Sequence, residues 1–134
     1  MTVSNAELLA RAFAGFRDGD LTALQALLHP DCELVVPDSI PYGGNFRGAE
    51  EVYGWFARQL WRWFDEFSST PTGFIDAGDQ IVVPVHVAAR AKNGTAVEVD
   101  NVWIYEFAES KLVRGTVYAD TARLRDAVEG VVPD

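Results

Sequence analysis

From Ser4 onward, apolar residues return every three or four positions, at Leu8, Leu9, Ala12, Phe13 and Phe16, which is the period of a helix with one buried face. Ser4 and Glu7 precede them in capping-box spacing, so a first helix is predicted to about residue 17. Gly19 breaks it, and Asp20 stands where it can cap a second helix carrying Leu21, Leu24, Leu27 and Leu28. His29-Pro30-Asp31 ends that helix. A strand is expected over 32–36, then a Pro- and Gly-rich loop over 37–44. Residues 49–67 read as a longer helix bearing Val52, Trp55, Phe56, Leu60, Trp63, Phe64 and Phe67.

After Pro71 the period shortens to two. Strands are predicted over 72–76, 80–91, 96–107 and 112–118, with turns at Gly78-Asp79, Asn93-Gly94 and Glu109-Ser110; Asn-Gly is the strongest hairpin signal of the three. Asp120-Thr121 then caps a last helix over 122–128, and 130–134 is expected to fray. Helices followed by long antiparallel strands predict the α+β class, in a single domain over 1–134. The expected shape is a cone-shaped barrel, a curved, mixed but mostly antiparallel sheet wrapped around the N-terminal helices. Such a concavity is where small ligands bind.

Composition narrows the partners. The chain of 134 residues is 49% hydrophobic and 23% charged, with a formal net charge of −9, so nucleic acids and anionic membranes are excluded as expected partners. No basic segment leads into a long apolar run near the N-terminus, and no stretch reaches membrane-spanning length. The one cysteine, Cys32, cannot form an internal disulfide, which points to a reduced, cytoplasmic setting. His29, His86 and Cys32 have no recognised metal-ligand spacing, and neither a phosphate-binding glycine loop nor a nucleophile elbow is present, so no metal or cofactor is expected.

One histidine stands inside an apolar strand, in VVPVHVA. Alternation puts His86 on a face with Val82, Pro84 and Ala88, opposite Val83, Val85 and Val87. Across the hairpin, Val97, Val99, Asn101, Trp103 and Tyr105 share a face. Both faces are partly apolar, so parity leaves open which one is inside. Pro84 cannot donate a ladder hydrogen bond and points to an edge or a bulge near His86. His86 is either a titrating group facing a pocket or a structural histidine. Asp120 is either a helix cap or, if it faces the same pocket, a carboxylate able to exchange protons with His86. Phe16, Tyr42, Trp55, Trp63, Trp103 and Tyr118 are candidate contacts for a flat, ring-bearing molecule, with core packing as their plain alternative.

The segments GDLTALQALLHPDCEL, PYGGNFRGAEEVYGWF, VVPVHVAARAKNGTAVEVDNVWIYEF and KLVRGTVYADTARL together resemble the SnoaL-like polyketide-cyclase family, within the nuclear-transport-factor-like superfamily. That resemblance implies a cone fold, a homodimer formed through the convex sheet face, and Asp120 as general acid/base without metal or organic cofactor. Many members carry a pocket histidine where this chain has Asn101. In relatives like limonene-epoxide hydrolase, an Asp-Arg-Asp set falls on His86, Pro84 and Asp120, so two of its three roles are changed. Ketosteroid isomerase groups fall near Val36, Trp103 and Ala12 and are not matched, although Asp38 is a nearby carboxylate. The expectation is therefore a cofactor-independent cyclase, isomerase, dehydratase or hydratase, with Asp120 and His86 catalytic and Asn101 orienting a small apolar ligand. Its competitor from another class is a ligand-binding or dimerisation domain without turnover.

Overall fold

The computed structural model describes residues 3–133. Helix α1 (Asn5–Arg17) starts as its capping box predicts, with Ser4 Oγ accepting the Glu7 amide at 3.1 Å. Before α2 (Thr22–Leu27), the Asp20 carboxylate accepts the Thr22 amide at 3.0 Å, although the capping position itself falls on Leu21. Strand β1 (Leu28–Val36) begins at once, so His29-Pro30-Asp31 lies in a strand and not in a helix end. A loop leads to β2 (Gly44–Arg47) and then to α3 (Ala49–Gly54).

The long helix predicted over 49–67 is where pattern and structure part. After α3 the backbone makes a π-helical turn (Trp55–Gln59) and a 3-10 turn (Leu60–Arg62), then enters β3 (Phe64–Pro71). The cause is a bulge: the β3 register against its neighbour slips between Phe64 and Glu66, so Phe64 and Phe67 are three residues apart yet both turn towards the core. A three-residue apolar spacing imitates a helix, and the sequence pattern follows the imitation.

The remaining strands are β4 (Ile75–Asp76), β5 (Gln80–Ala91), β6 (Ala96–Ala108) and β7 (Lys111–Tyr118), followed by α4 (Thr121–Ala127). They form one seven-stranded sheet in the order β2-β1-β7-β6-β5-β3, with β4 also on β5. Among the described residues only β1 against β7 is parallel. The sheet is open and curved, giving a cone-shaped α+β fold. Pro84 sits in the gap between the end of β3 opposite Val85 and the start of β4 opposite Val82. Its register with β6 is unbroken, so it marks a local edge and no bulge.

Burial settles which face is inside. Val83, Val85 and Val87 of β5 and Val99, Asn101, Trp103 and Tyr105 of β6 are buried. His86, Val82 and Pro84 therefore point to the convex side. At the C-terminus Val131 packs on the core, so the tail expected to fray is docked at that point; residue 134 lies outside the described residues. Among the described residues no helix is long and apolar enough to cross a membrane.

Candidate functional site

Inside the cone, α1, the α3–π segment and the concave sheet face enclose a cavity of about 80 Å3, well above the roughly 10–15 Å3 that admits one water. Its wall is aromatic: Phe16, Trp55, Phe56, Trp103 and Tyr105 all line it. Trp103 and Tyr105, two residues apart on one face of β6, stack with centroids 5.2 Å apart and planes 10° from parallel. Gly115 makes this possible, because a Cβ there would come within 3.2 Å of the Tyr105 ring. Trp55 is held by its own indole N–H, which donates to the Tyr42 carbonyl at 2.9 Å.

Polar groups in the cavity are few, and apart from Glu33 at its edge they are neutral. Asn101 is 7% exposed and Tyr42 2%, and the Asn101 Oδ1, Tyr42 hydroxyl and Ser69 hydroxyl oxygens are buried with no hydrogen-bond partner. Each such atom costs about 1–3 kcal/mol when left unsatisfied, and three of them meet at one cavity. Burial drives the Tyr42 and Tyr105 hydroxyls above the usual phenol range, so both remain protonated donors. Cys32 also lines the cavity, and burial raises its thiol as well. Glu33 reaches the cavity edge, but its carboxylate is engaged by Arg47 at 3.4 Å and Arg114 at 3.7 Å.

The expected proton-transfer pair lies elsewhere. His86 is on the convex face, with Nδ1 2.9 Å from Asp100 and Nε2 2.8 Å from Glu98. Those two carboxylates raise its pKa, the Asp100 bond most. Asp120 accepts the Arg123 amide at 3.2 Å as the cap of α4 and meets the Arg123 guanidinium at 3.6 Å, with its side chain 47% exposed. No hydrogen bond joins His86 to Asp120, and neither lines the cavity. The reason is strand parity: Val85 and Val87 take the inner positions on β5, which sends His86 outward.

Of the expected ligand contacts, Phe16, Tyr42, Trp55, Asn101 and Trp103 come together around the cavity. Trp63 lies behind Tyr42, ring centroids 6.3 Å apart, and Tyr118 is 59% exposed on the convex face. Sequence reasoning missed Ser69, hidden between the predicted helix and strand, as well as Phe56 and Tyr105. Tyr105 was legible, since it continues the inner alternation of Asn101 and Trp103. Among the described residues no three His, Cys, Asp or Glu side chains converge as metal ligands.

The family model for the SnoaL-like domain matches residues 9–115. The chain belongs to the SnoaL-like domain family. This SnoaL-like chain is similar to an NTF2-like protein of unknown function from Burkholderia pseudomallei, 28% identical with a TM-score of 0.88 over 96% of this chain and 100% of that one. It is also similar to TerC, solved with polyporic acid, at 26% identity and TM-score 0.85 over 94% and 98% of the two chains. A candidate SnoaL-like polyketide cyclase from Jannaschia shares the fold at 15% identity and TM-score 0.80, over 97% and 98%. No curated protein matches the sequence.

Proposed function

We propose that this SnoaL-like domain takes up a small, largely apolar, ring-bearing molecule inside its cone. The observation that carries this reading is the buried aromatic wall around an internal cavity, with Trp55, Phe56, Trp103 and Tyr105 as its principal surfaces. Apolar walls with a few fixed polar groups are the usual construction of small-ligand sites. The similarity to TerC, solved with polyporic acid, supports the same reading. Titration of the protein with polyporic acid, followed by tryptophan fluorescence and calorimetry, tests it. Saturable one-to-one binding that Trp103→Ala weakens by at least about tenfold supports it. Absence of saturable binding by polyporic acid and by simple fused-ring phenols contradicts it.

Turnover is the second reading, and Tyr42 with Asn101 favours it. A buried phenol and an amide at one cavity can donate to a ligand carbonyl and stabilise charge that develops there during enolisation, ring closure or hydration. This is cofactor-independent chemistry of the cyclase, isomerase, dehydratase or hydratase kind, with the proton acceptor left to the ligand or to water. Under this reading Tyr42→Phe lowers kcat, while His86→Gln and Asp120→Asn leave it within about twofold. A kcat abolished by Asp120→Asn would return the acid–base role to that residue.

The convex face is read as a homodimer surface. Val102 and Tyr118 face each other across adjacent strands and are 38% and 59% exposed, with Ile104 and Thr116 on the next rung. Exposed apolar side chains grouped on one sheet face suit a contact with a second protein surface. Sedimentation of wild type against Val102→Glu/Tyr118→Glu tests it: a dimer that becomes a monomer supports the reading, and a wild-type monomer contradicts it. A cytoplasmic location goes with the buried free thiol of Cys32.

A further inference from the structure

The buried polar atoms without partners are not scattered through the cone. Among the described residues they are the Tyr42 hydroxyl, Trp63 Nε1, Ser69 Oγ and Asn101 Oδ1, and the strand register places Ser69 and Asn101 on that side of Trp103 where the Asn93-Gly94 turn joins β5 to β6. Ser69 faces Val87, which faces Val99. Asn101 faces Val85 and lies one inner position further from the turn, about 7 Å along the strand. Tyr42 packs edge-on against Phe64 at 5.4 Å, and Phe64 pairs with Ala91 beside the turn. Trp63 accepts the Lys92 amide through its carbonyl at 3.0 Å, at the same end.

Away from the turn, the inner face of β6 continues as Trp103 and Tyr105, with Phe13 edge-on to Tyr105 at 6.1 Å. Leu24, Leu28 and Leu112 close the cavity on that side. Tyr105 keeps its ring parallel to that of Trp103. The unpartnered polar groups that line the cavity, Tyr42, Ser69 and Asn101, thus lie on the turn side of the Trp103–Tyr105 stack.

We infer that the ligand is amphiphilic along its length: a ring system that rests on Trp103 and Tyr105, carrying a hydroxyl or carbonyl oxygen that points towards the β5–β6 turn and is held by Asn101, Ser69 and Tyr42. This rests on the cavity-binding reading above and adds to it the ligand's polarity and direction. The chemistry suits a neutral oxygen. Tyr42 and Ser69 can each donate or accept, and the Asn101 amide offers an acceptor and two donors depending on how it is turned. No cationic side chain joins the three at the cavity, so a carboxylate would be desolvated there without a counter-charge.

The test compares 2-naphthol with naphthalene, which differ by one hydroxyl, on wild type, Asn101→Leu, Ser69→Ala and Tyr42→Phe, with circular dichroism confirming that each variant is folded. Expected is tighter binding of 2-naphthol than of naphthalene by at least about fivefold in wild type, with the preference reduced in each variant through loss of naphthol affinity alone. Ser69→Ala keeps the test usable if Asn101→Leu does not fold. Equal affinities in wild type, or variants that weaken both probes alike, overturn the polarity inference while leaving a binding cavity. Failure of both probes to bind at all overturns both the inference and the reading beneath it.

Discussion

His86 and Asp100 face each other across one rung of β5 and β6, and the imidazole Nδ1 lies 2.9 Å from the carboxylate on the convex side of the sheet. Glu98 meets the other ring nitrogen at 2.8 Å. Both nitrogens can donate only when the ring is protonated, so this geometry belongs to the imidazolium. The pKa of His86 is raised, chiefly by the Asp100 bond and then by Glu98. A folded-state value above the unfolded one stabilises fully below about pH 6.5, and that stabilisation is lost as pH rises through the folded value. Because the His86 side chain is 44% exposed, solvent screens the pairs and the contribution is small. In an NMR titration, His86 should titrate above the ordinary histidine midpoint, and Asp100→Asn/Glu98→Gln should bring it back down. An unmoved midpoint would show that the two carboxylates do not hold the ring in solution.

Asp120 acts on stability through α4. Its carboxylate satisfies the Arg123 amide, one of the donors left open at a helix start. Asp120→Ala should cost about 1 kcal/mol in urea unfolding, within the range of about 0.5–2 for lost caps, and leave ligand affinity unchanged. Asp120→Ser should recover most of the loss. A change in affinity larger than the change in stability would place Asp120 in the binding machinery.

Tyr42→Phe should behave in the opposite way. It removes a buried hydroxyl that has no partner, so the unliganded protein should gain up to about 1 kcal/mol. For a domain of this size that is a rise of about 3–5 °C in Tm. A fall in Tm would mean that the hydroxyl is satisfied when the cavity holds no ligand.

The thiol of Cys32 is 1% exposed and held in its protonated form by burial. Thiol labelling of the native protein should therefore be limited by opening of the fold, and it should be fast in denaturant. Saturation with a cavity ligand should slow it further. Labelling of the folded protein at the rate of a free thiol would contradict the burial of Cys32.

The fold was legible wherever local chemistry and burial agree. The Ser4–Glu7 cap, the Asn93-Gly94 hairpin and the strand predicted over 80–91 all stand in the structure. The inner stripe of Asn101, Trp103 and Tyr105 was visible as alternation, but β5 and β6 each carry apolar residues on both faces. Only the curvature of the whole sheet decides which face closes on the helices, and with it whether His86 is inside. The β3 bulge was illegible for a related reason: the register of a strand depends on its partner, and Phe64 and Phe67 carry no mark of it in their own spacing.

The most direct test of the cavity as a binding site follows the four tryptophan indole N–H signals in a nitrogen–proton NMR spectrum during titration with 2-naphthol. Trp55 and Trp103 line the cavity, whereas Trp61 and Trp63 do not. Saturable shifts at Trp55 and Trp103, with much smaller ones at Trp61 and Trp63, are the expected result. No saturable shift at Trp55 and Trp103, or shifts of equal size at all four indoles, would contradict it.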